Sequence, residues 1–176
     1  MVTWKLTGIY FHGRSDSKPM ATTTGNEQTV QKRVLAAADG LAEDLRADGW
    51  DVRLVRAGHV APVPPGESEE NHGVVYVVPD SAGEELTEVV EGGSFDQYEA
   101  YRHVSGRDLS LVTELRDPER RVAVVLVGTV DRDRAEPLAT AARERGVLRS
   151  HVRLLDGTPL ATFRHEEPGH FFPEER

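Results

Sequence analysis

The chain of 176 residues contains no cysteine. Disulfides, thiolate zinc sites and cysteine nucleophiles are therefore excluded, and a reducing cytosol is compatible with the composition. Long hydrophobic runs are also lacking, because no stretch approaches the roughly 20 apolar residues that cross a bilayer. We predict a cytoplasmic protein without a membrane partner. The length fits one domain with a core of its own.

Lysine and isoleucine are scarce. Arginine supplies 18 of the 21 basic residues, and the single isoleucine is Ile9. The 30 acidic residues give a formal net charge of −9. This composition indicates a salt-loving organism with a GC-rich genome. At high salt, long-range electrostatic attraction is screened, and carboxylates on the surface keep the protein hydrated by binding water and hydrated cations. A GC-rich genome alone is the alternative. The acidic excess argues against nucleic acid, which requires a clustered basic face.

The first 19 residues differ from the rest of the chain. They contain the only isoleucine and two of the three lysines, and no helical or strand period continues from them. We interpret residues 1–19 as a disordered extension or as the result of a start site assigned too early, with translation beginning at Met20. Residues 20–176 are then a single α+β domain.

Two continuous apolar runs, GVVYVVP from Gly73 and RVAVVLVGTV from Arg121, predict strands covered on both faces. Each run is followed by a helical stretch and two alternating strands, so the chain repeats a β-α-β-β order. A helix over 27–48 and a strand over 50–55 precede these units, and the Pro-rich segment 57–71 predicts a surface loop. We expect a single mixed, largely antiparallel sheet with helices packed on it. The repeat reflects either an internal duplication or a recurring supersecondary order.

The dipeptide Asp-Gly at 156–157 predicts a β-hairpin near the C-terminus. A type I′ turn at this dipeptide sets the register of the two strands. The register pairs Val152 with Ala161, and Leu154 with Pro159.

Six strings of moderate specificity occur along the chain: GWDV at 49–52, VVPDS at 77–81, SFxxYExYR at 94–102, LVTELRDPE at 111–119, HVRLLDGTPLATFRHE at 151–166 and FFP at 171–173. Together they resemble an uncharacterised family of small acidic haloarchaeal proteins, a domain of unknown function. The resemblance extends from residue 27 to residue 173. It implies a cytoplasmic protein of a halophilic archaeon and transfers no catalytic residue.

Two regions contain candidate ligand-binding side chains. Tyr101 and His103 are two residues apart on one predicted strand and therefore share a face, which could bind a ligand. The alternative is that these side chains only pack against the rest of the protein. His151 lies across the hairpin from His165, which opens a stretch rich in His and Glu. This stretch is not a zincin motif, because its two histidines are five apart and Pro168–Gly169 prevents a helix.

No P-loop, dinucleotide-binding glycine motif or nucleophile elbow occurs, so we assign no catalytic residue, metal ligand or cofactor. The favoured function is a non-catalytic module that binds a protein partner or a small molecule, and a homodimer is compatible with it. The alternative is a small hydrolase-like or metal-dependent enzyme that uses histidines and carboxylates near the C-terminal hairpin. An enzyme needs titratable groups converging in a pocket, whereas a binding module presents an apolar patch or a free sheet edge.

Val125, in the middle of the second apolar run, provides a test of this arrangement. Val125→Asp should abolish folding, because burying an unpaired carboxylate costs several kcal/mol, comparable to the ~5–15 kcal/mol that stabilises an ordinary domain. His170→Ala, in the polar tail, is the control and should leave the melting temperature close to that of the unmodified protein. Thermal unfolding followed by circular dichroism measures both. A folded Val125→Asp protein would place this strand at an exposed edge.

Overall fold

A computed structural model describes residues 23–66 and 71–173. The interpretation of residues 1–19 therefore lies outside the described part of the chain. In chain order the elements are α1 (Thr23–Ala47), β1 (Asp51–Arg56), β2 (His59–Val63), β3 (Gly73–Val78), α2 (Asp80–Val90), β4 (Gln97–Ser105), β5 (Asp108–Asp117), β6 (Val122–Asp131), α3 (Arg132–Arg145), β7 (Leu148–Leu154), β8 (Pro159–His165) and a 3-10 turn (Pro168–His170).

The strands form two four-stranded sheets, so the prediction of a single mixed sheet is wrong. Sheet A has the order β1-β6-β5-β4, and sheet B has the order β2-β3-β7-β8. Each sheet contains one parallel pair, β1 with β6 and β3 with β7, and its other neighbours are antiparallel. Alternation of apolar residues shows which side chains share a face, but it does not show which strand lies alongside. The sequence pattern therefore could not reveal that the chain changes sheets three times.

The β-α-β-β order occurs twice, as β3-α2-β4-β5 and β6-α3-β7-β8. In each unit the helix carries the chain from one sheet to the other. The pairings of the two units differ, because β6 lies antiparallel to β5 whereas β3 lies parallel to β7. The two units therefore occupy different positions in the sheets. This difference favours a repeated order of helices and strands over an internal duplication.

Strand β6 is interior in sheet A and is buried on both faces, as the second apolar run predicts. Val124 and Leu126 contribute to the core between the two sheets, whereas Val125 faces α1 on the opposite side of sheet A, and all three are fully buried. Helix α1 covers this outer face through one apolar stripe. Its buried residues include Val34, Ala38, Ala42 and Leu45.

The two sheets are in close contact at Gly128 of β6. A Cβ atom there would lie 2.3 Å from Cγ2 of Val60 and 3.1 Å from Cε1 of Tyr76. Tyr76, on β3, is fully buried. A glycine in the interior of β6 thus makes room for the tyrosine ring and for β2.

Strand β2 lies within the segment that the sequence pattern assigned to a surface loop. That prediction is wrong for His59–Val63, because this short stretch pairs with β3 along its whole length. Pro62, within the strand, is compatible with the edge position of β2 in sheet B, where one side of the strand needs no hydrogen-bond donors.

The β7–β8 hairpin confirms one predicted pair and contradicts the other. Val152 lies opposite Ala161, but an irregularity after Val152 places Arg153, not Leu154, opposite Pro159. The Leu154 N–H instead donates to the carbonyl of Thr158 at 3.0 Å. The predicted type I′ turn is also wrong, because it requires a positive φ at both Asp156 and Gly157 and only Gly157 has one. The bulge adds a residue to one strand and cannot be derived from the turn dipeptide alone.

Gly128→Ala should destabilise the protein by about 1–3 kcal/mol, because the added methyl group overpacks the contact with Val60. Gly40→Ala is the matched control, since a methyl group added to Gly40 in α1 would have no neighbouring atom within 4 Å. Alanine there should stabilise the helix by about 0.5–1 kcal/mol. Urea unfolding gives both values. Equal effects of the two substitutions would contradict the close approach of the sheets.

Candidate functional site

A groove of about 560 Å³ lies between β4 and β8, which are edge strands of sheets A and B. Its volume is within the range of small-molecule sites, roughly 300–1,000 Å³. The groove exists because the two sheets are separate, so that their edges meet without hydrogen-bonding to each other. Its apolar and hydroxyl-bearing side chains include Val90, Phe95, Tyr98, Thr162 and Phe163.

Aromatic rings from both sheets form the floor of the groove. Phe95 and Phe163 pack edge to face, with ring centroids 5.6 Å apart and an interplanar angle of 82°. The ring of Tyr98 lies 4.6 Å from that of His165 and 6.0 Å from that of Phe171. Edge-to-face contacts of this type stabilise packing beyond the area they bury. The floor of the groove is therefore a packed aromatic surface.

Carboxylates outnumber cations in the groove. Asp96, Glu166 and Glu167 line it together with Arg164, which is its one basic lining residue within the described part of the chain. The backbone N–H of Glu167 donates to the Tyr98 hydroxyl at 2.9 Å. Burial raises the pKa of Tyr98, and the charges of Glu167 and Glu166 raise it further, although the hydrogen bond from the Glu167 backbone opposes them. Two carboxylates of the groove therefore act on this hydroxyl.

His165 lies behind the aromatic floor and is completely buried. Its Nε2 and the Ser150 hydroxyl share a hydrogen bond of 2.9 Å. Desolvation lowers the pKa of His165 to about 3, so the ring is neutral near pH 7. It positions Tyr98 and Phe171 by ring contacts and does not line the groove.

His151 lies on the outer face of sheet B, away from sheet A. Its Nε2 is 3.0 Å from the carbonyl of His72, and its Nδ1 is 2.9 Å from the Thr162 hydroxyl. Since a carbonyl only accepts, Nε2 carries the proton and Nδ1 accepts from Thr162. Burial lowers the pKa of His151, and the charges of Arg153 and Arg149 lower it further, against the hydrogen bond to His72.

Tyr101 and His103 lie on the α1 side of sheet A. The Tyr101 hydroxyl donates to Glu99 at 2.7 Å, and burial together with this partner raises the pKa of Tyr101. Burial lowers the pKa of His103, and the charge of Arg33 in α1 lowers it further. The shared face of these two residues agrees with their spacing.

The four predicted ligand-binding residues therefore occupy three places. The structure brings Tyr101 and His103 together, but it separates His151 from His165 by the thickness of sheet B. The predicted Val152–Ala161 pair already implies this separation. It places His151 opposite Thr162, and Thr162 and His165 are an odd number of residues apart on β8, so they face opposite sides of the sheet.

Sequence reasoning missed the groove as a site. Two of its carboxylates, Glu166 and Glu167, belong to the stretch that the sequence singled out, but Phe95 and Phe163 read as ordinary core residues. Phe95, in the loop before β4, and Phe163, on β8, form a groove floor because β4 and β8 are edge strands. No local sequence pattern indicates an edge position.

The described residues contain neither a cluster of metal-ligating side chains nor a helix that could span a membrane. Across 23–66 and 71–173, no group of three His, Asp or Glu side chains is arranged to hold a metal ion. The helices within these ranges do not have the combination of length and apolar character that crossing a membrane requires.

A family of unknown function (DUF7529) matches residues 17–173 of the chain. The chain belongs to this family. No curated protein and no solved structure matches it. The expectation of a domain of unknown function is confirmed for this DUF7529 protein, whereas the halophilic origin and the cytoplasmic location stay predictions.

The buried imidazole of His165 predicts a loss of stability in acid. Because its pKa falls from 6.5 in the unfolded chain to about 3 in the folded protein, the unfolded state binds the extra proton between these values. Stability is therefore complete above pH 6.5 and declines below it, by about 2 kcal/mol at pH 5.

His165→Gln should remove this part of the pH dependence while retaining a partner for Ser150. Urea unfolding at pH 7 and pH 5 measures the difference for both proteins. His151 and His103 contribute equally to the two, so the comparison isolates His165. The same loss in both proteins would show that His165 is not buried as a neutral ring.

Proposed function

We propose that this DUF7529 protein is a non-catalytic binding module whose groove takes a small organic ligand that carries a positive charge on an apolar body. The observation that carries the proposal is the composition of the groove: an aromatic floor bordered by three carboxylates and, among the described residues, a single guanidinium. Aromatic faces attract cations through their quadrupoles, and carboxylates add a direct Coulomb attraction.

The electrostatics of Tyr98 support a cationic ligand. Glu166 and Glu167 both act on its hydroxyl, so a positive group placed near the ring meets two carboxylates and an aromatic face. The net charge of −9 adds a long-range attraction for cations at low salt. Charge of the opposite sign is supplied only by Arg164 among the described lining residues.

The arrangement of the histidines favours binding over catalysis. A general base has to lie within hydrogen-bond reach of the reacting group, near 3 Å. His165 is buried behind the floor, and no histidine is among the described lining residues of the groove. We place the module in the cytoplasm, without nucleic-acid or membrane partners. A homodimer through a free sheet edge and a protein partner are compatible with the same module.

A hydrolase-like enzyme is the second candidate, because the Thr162 hydroxyl is hydrogen-bonded to Nδ1 of His151. A hydroxyl beside an imidazole is the core of a nucleophile–base pair. The group that orients the imidazole is here a backbone carbonyl rather than a carboxylate. Hydrolysis of a p-nitrophenyl ester or phosphate that Thr162→Val abolishes would favour this candidate over a binding module.

Benzyltrimethylammonium is a suitable probe for the groove, with benzyl alcohol and benzenesulfonate as neutral and anionic comparisons. We expect the cation to bind best by isothermal titration calorimetry. The double substitution Asp96→Asn with Glu166→Gln should weaken its binding about tenfold, as expected for two exposed charges worth about 0.5–1 kcal/mol each.

The matched control is Glu43→Gln with Asp44→Asn, which removes two exposed carboxylates from α1 instead. It should leave the dissociation constant unchanged. Equal binding of the cation and the sulfonate, or equal weakening by the two double substitutions, would rule out a groove specific for cations.

A further inference from the structure

Two arginines lie directly opposite each other on the outer face of sheet B. The antiparallel register pairs Arg149 of β7 with Arg164 of β8. Their strand neighbours Ser150 and Phe163 are buried in the core, so the two arginines project to the other side of the sheet. Like charges in directly opposed positions destabilise a sheet. Such a pair calls for a compensating negative charge.

Within 23–66 and 71–173, no carboxylate forms an ion pair with Arg149 or Arg164, although Asp96, Glu166 and Glu167 line the groove together with Arg164. Nη1 of Arg149 instead lies 3.0 Å from Nε2 of His72. Carboxylates are abundant in this chain, and other arginines do have such partners. These are Arg53, Arg56, Arg107, Arg116, Arg120 and Arg143.

A third guanidinium belongs to the same face. Arg153 follows on β7 and donates to Oδ1 of Asn71. Between Arg149 and Arg153 the face presents His151 with Thr162, and the Thr162 side chain is exposed. The strand rise separates the Cα atoms of the two β7 arginines by about 13 Å. Arg149 and Arg153 each lie two residues from His151 on β7, and the charges of both lower the pKa of its imidazole.

The open part of this face is small. His151 and Val75 point outward from sheet B, yet each is only 6% exposed. Asn71 and His72, just before β3, reach this face, where the His72 carbonyl contacts His151 and the Asn71 side chain contacts Arg153. What stays accessible is a strip along β7 and β8. It carries guanidinium groups and a hydroxyl but no acidic residue of the two strands.

We propose that this strip, the Arg face (Arg149, Arg153, Thr162 and Arg164), binds a small soluble oxyanion of the phosphate monoester class. Guanidinium forks match the oxygens of phosphate bidentately, and charge-assisted hydrogen bonds of this kind are the strong ones. A dianion between Arg149 and Arg164 would replace their mutual repulsion with attraction. A long polyanion is disfavoured, because it would extend beyond three arginines onto the surface of a protein of net charge −9.

The Arg face differs from the groove in the charge of its ligand and overlaps it in position. Thr162 and Arg164 border both, whereas Arg149 belongs to the Arg face alone. Arg149→Gln therefore tests the oxyanion site without altering the groove lining. Glutamine also retains an N–H that can donate to His72.

Phenyl phosphate is the first probe, titrated into ¹⁵N-labelled full-length protein at constant ionic strength. We expect saturable shifts confined to the amides of β7 and β8 around Arg149, Thr162 and Arg164. Arg149→Gln and Arg164→Gln should each weaken binding about tenfold, the effect of losing one charge-assisted contact. Arg132→Gln removes an exposed arginine at the start of α3 and serves as the matched control, with an unchanged dissociation constant.

Thermal unfolding in phosphate-free buffer gives an independent result. Arg149→Gln should melt at the same temperature as the unmodified protein or higher, because it relieves the repulsion with Arg164. Phenyl phosphate should raise the melting temperature of the unmodified protein and not that of the variant. A large drop for the variant without ligand would instead make Arg149 a structural residue and overturn the proposal.

Four other outcomes would also overturn it. Unsaturable shifts spread over the surface would indicate general ionic screening, and equal weakening by Arg132→Gln would indicate net charge alone. Tighter binding of a Glu-rich peptide than of phenyl phosphate would assign the face to an acidic protein partner. Binding only to phosphatidic-acid vesicles would assign it to a lipid surface. Cation binding in the groove should persist in Arg149→Gln, so failure of one proposal does not imply failure of the other.

Discussion

Burial of β6 on both faces is the constraint on which the rest of the structure depends. Alternate side chains of this strand enter two different cores, one beneath α1 and one between the sheets. A strand covered on both sides needs two separate layers. Helix α1 forms one of them, and sheet B together with buried residues of α2 and α3 forms the other. Gly128 then permits the close contact, because β6 has no side chain where Tyr76 of β3 and Val60 of β2 approach it.

Both candidate sites follow from the division into two sheets. The groove lies where the edges β4 and β8 meet, and the Arg face lies on the outer side of β7 and β8. Strand β8 contributes to three environments. Phe163 and His165 enter the core, whereas Thr162 and Arg164 border the groove and the Arg face. The carboxylates of the groove and the guanidiniums of the Arg face thus give one edge two regions of opposite charge.

The parts of the candidate sites that could be predicted were those set by alternation along one strand. Tyr101 and His103 share a face because they are two residues apart. His151 and His165 stand near each other across a hairpin, but the register places His151 opposite Thr162 and so on the other face from His165. Arg149 and Arg164 have no distinguishing local pattern. Their opposed positions become unusual only once the strand register is known and no described carboxylate is found to form an ion pair with either of them.

The sequence by itself determined the helices, most strands, the interior position of the two apolar runs and one residue pair of the C-terminal hairpin, Val152 with Ala161. These features depend on residues close together in the chain, through periodicity, turn chemistry and burial. Only the tertiary structure decided that there are two sheets, which strands are edges and which described charges have partners. Strand neighbours far apart in sequence are selected by the packing of whole faces, and the same alternating pattern fits either a single sheet or two.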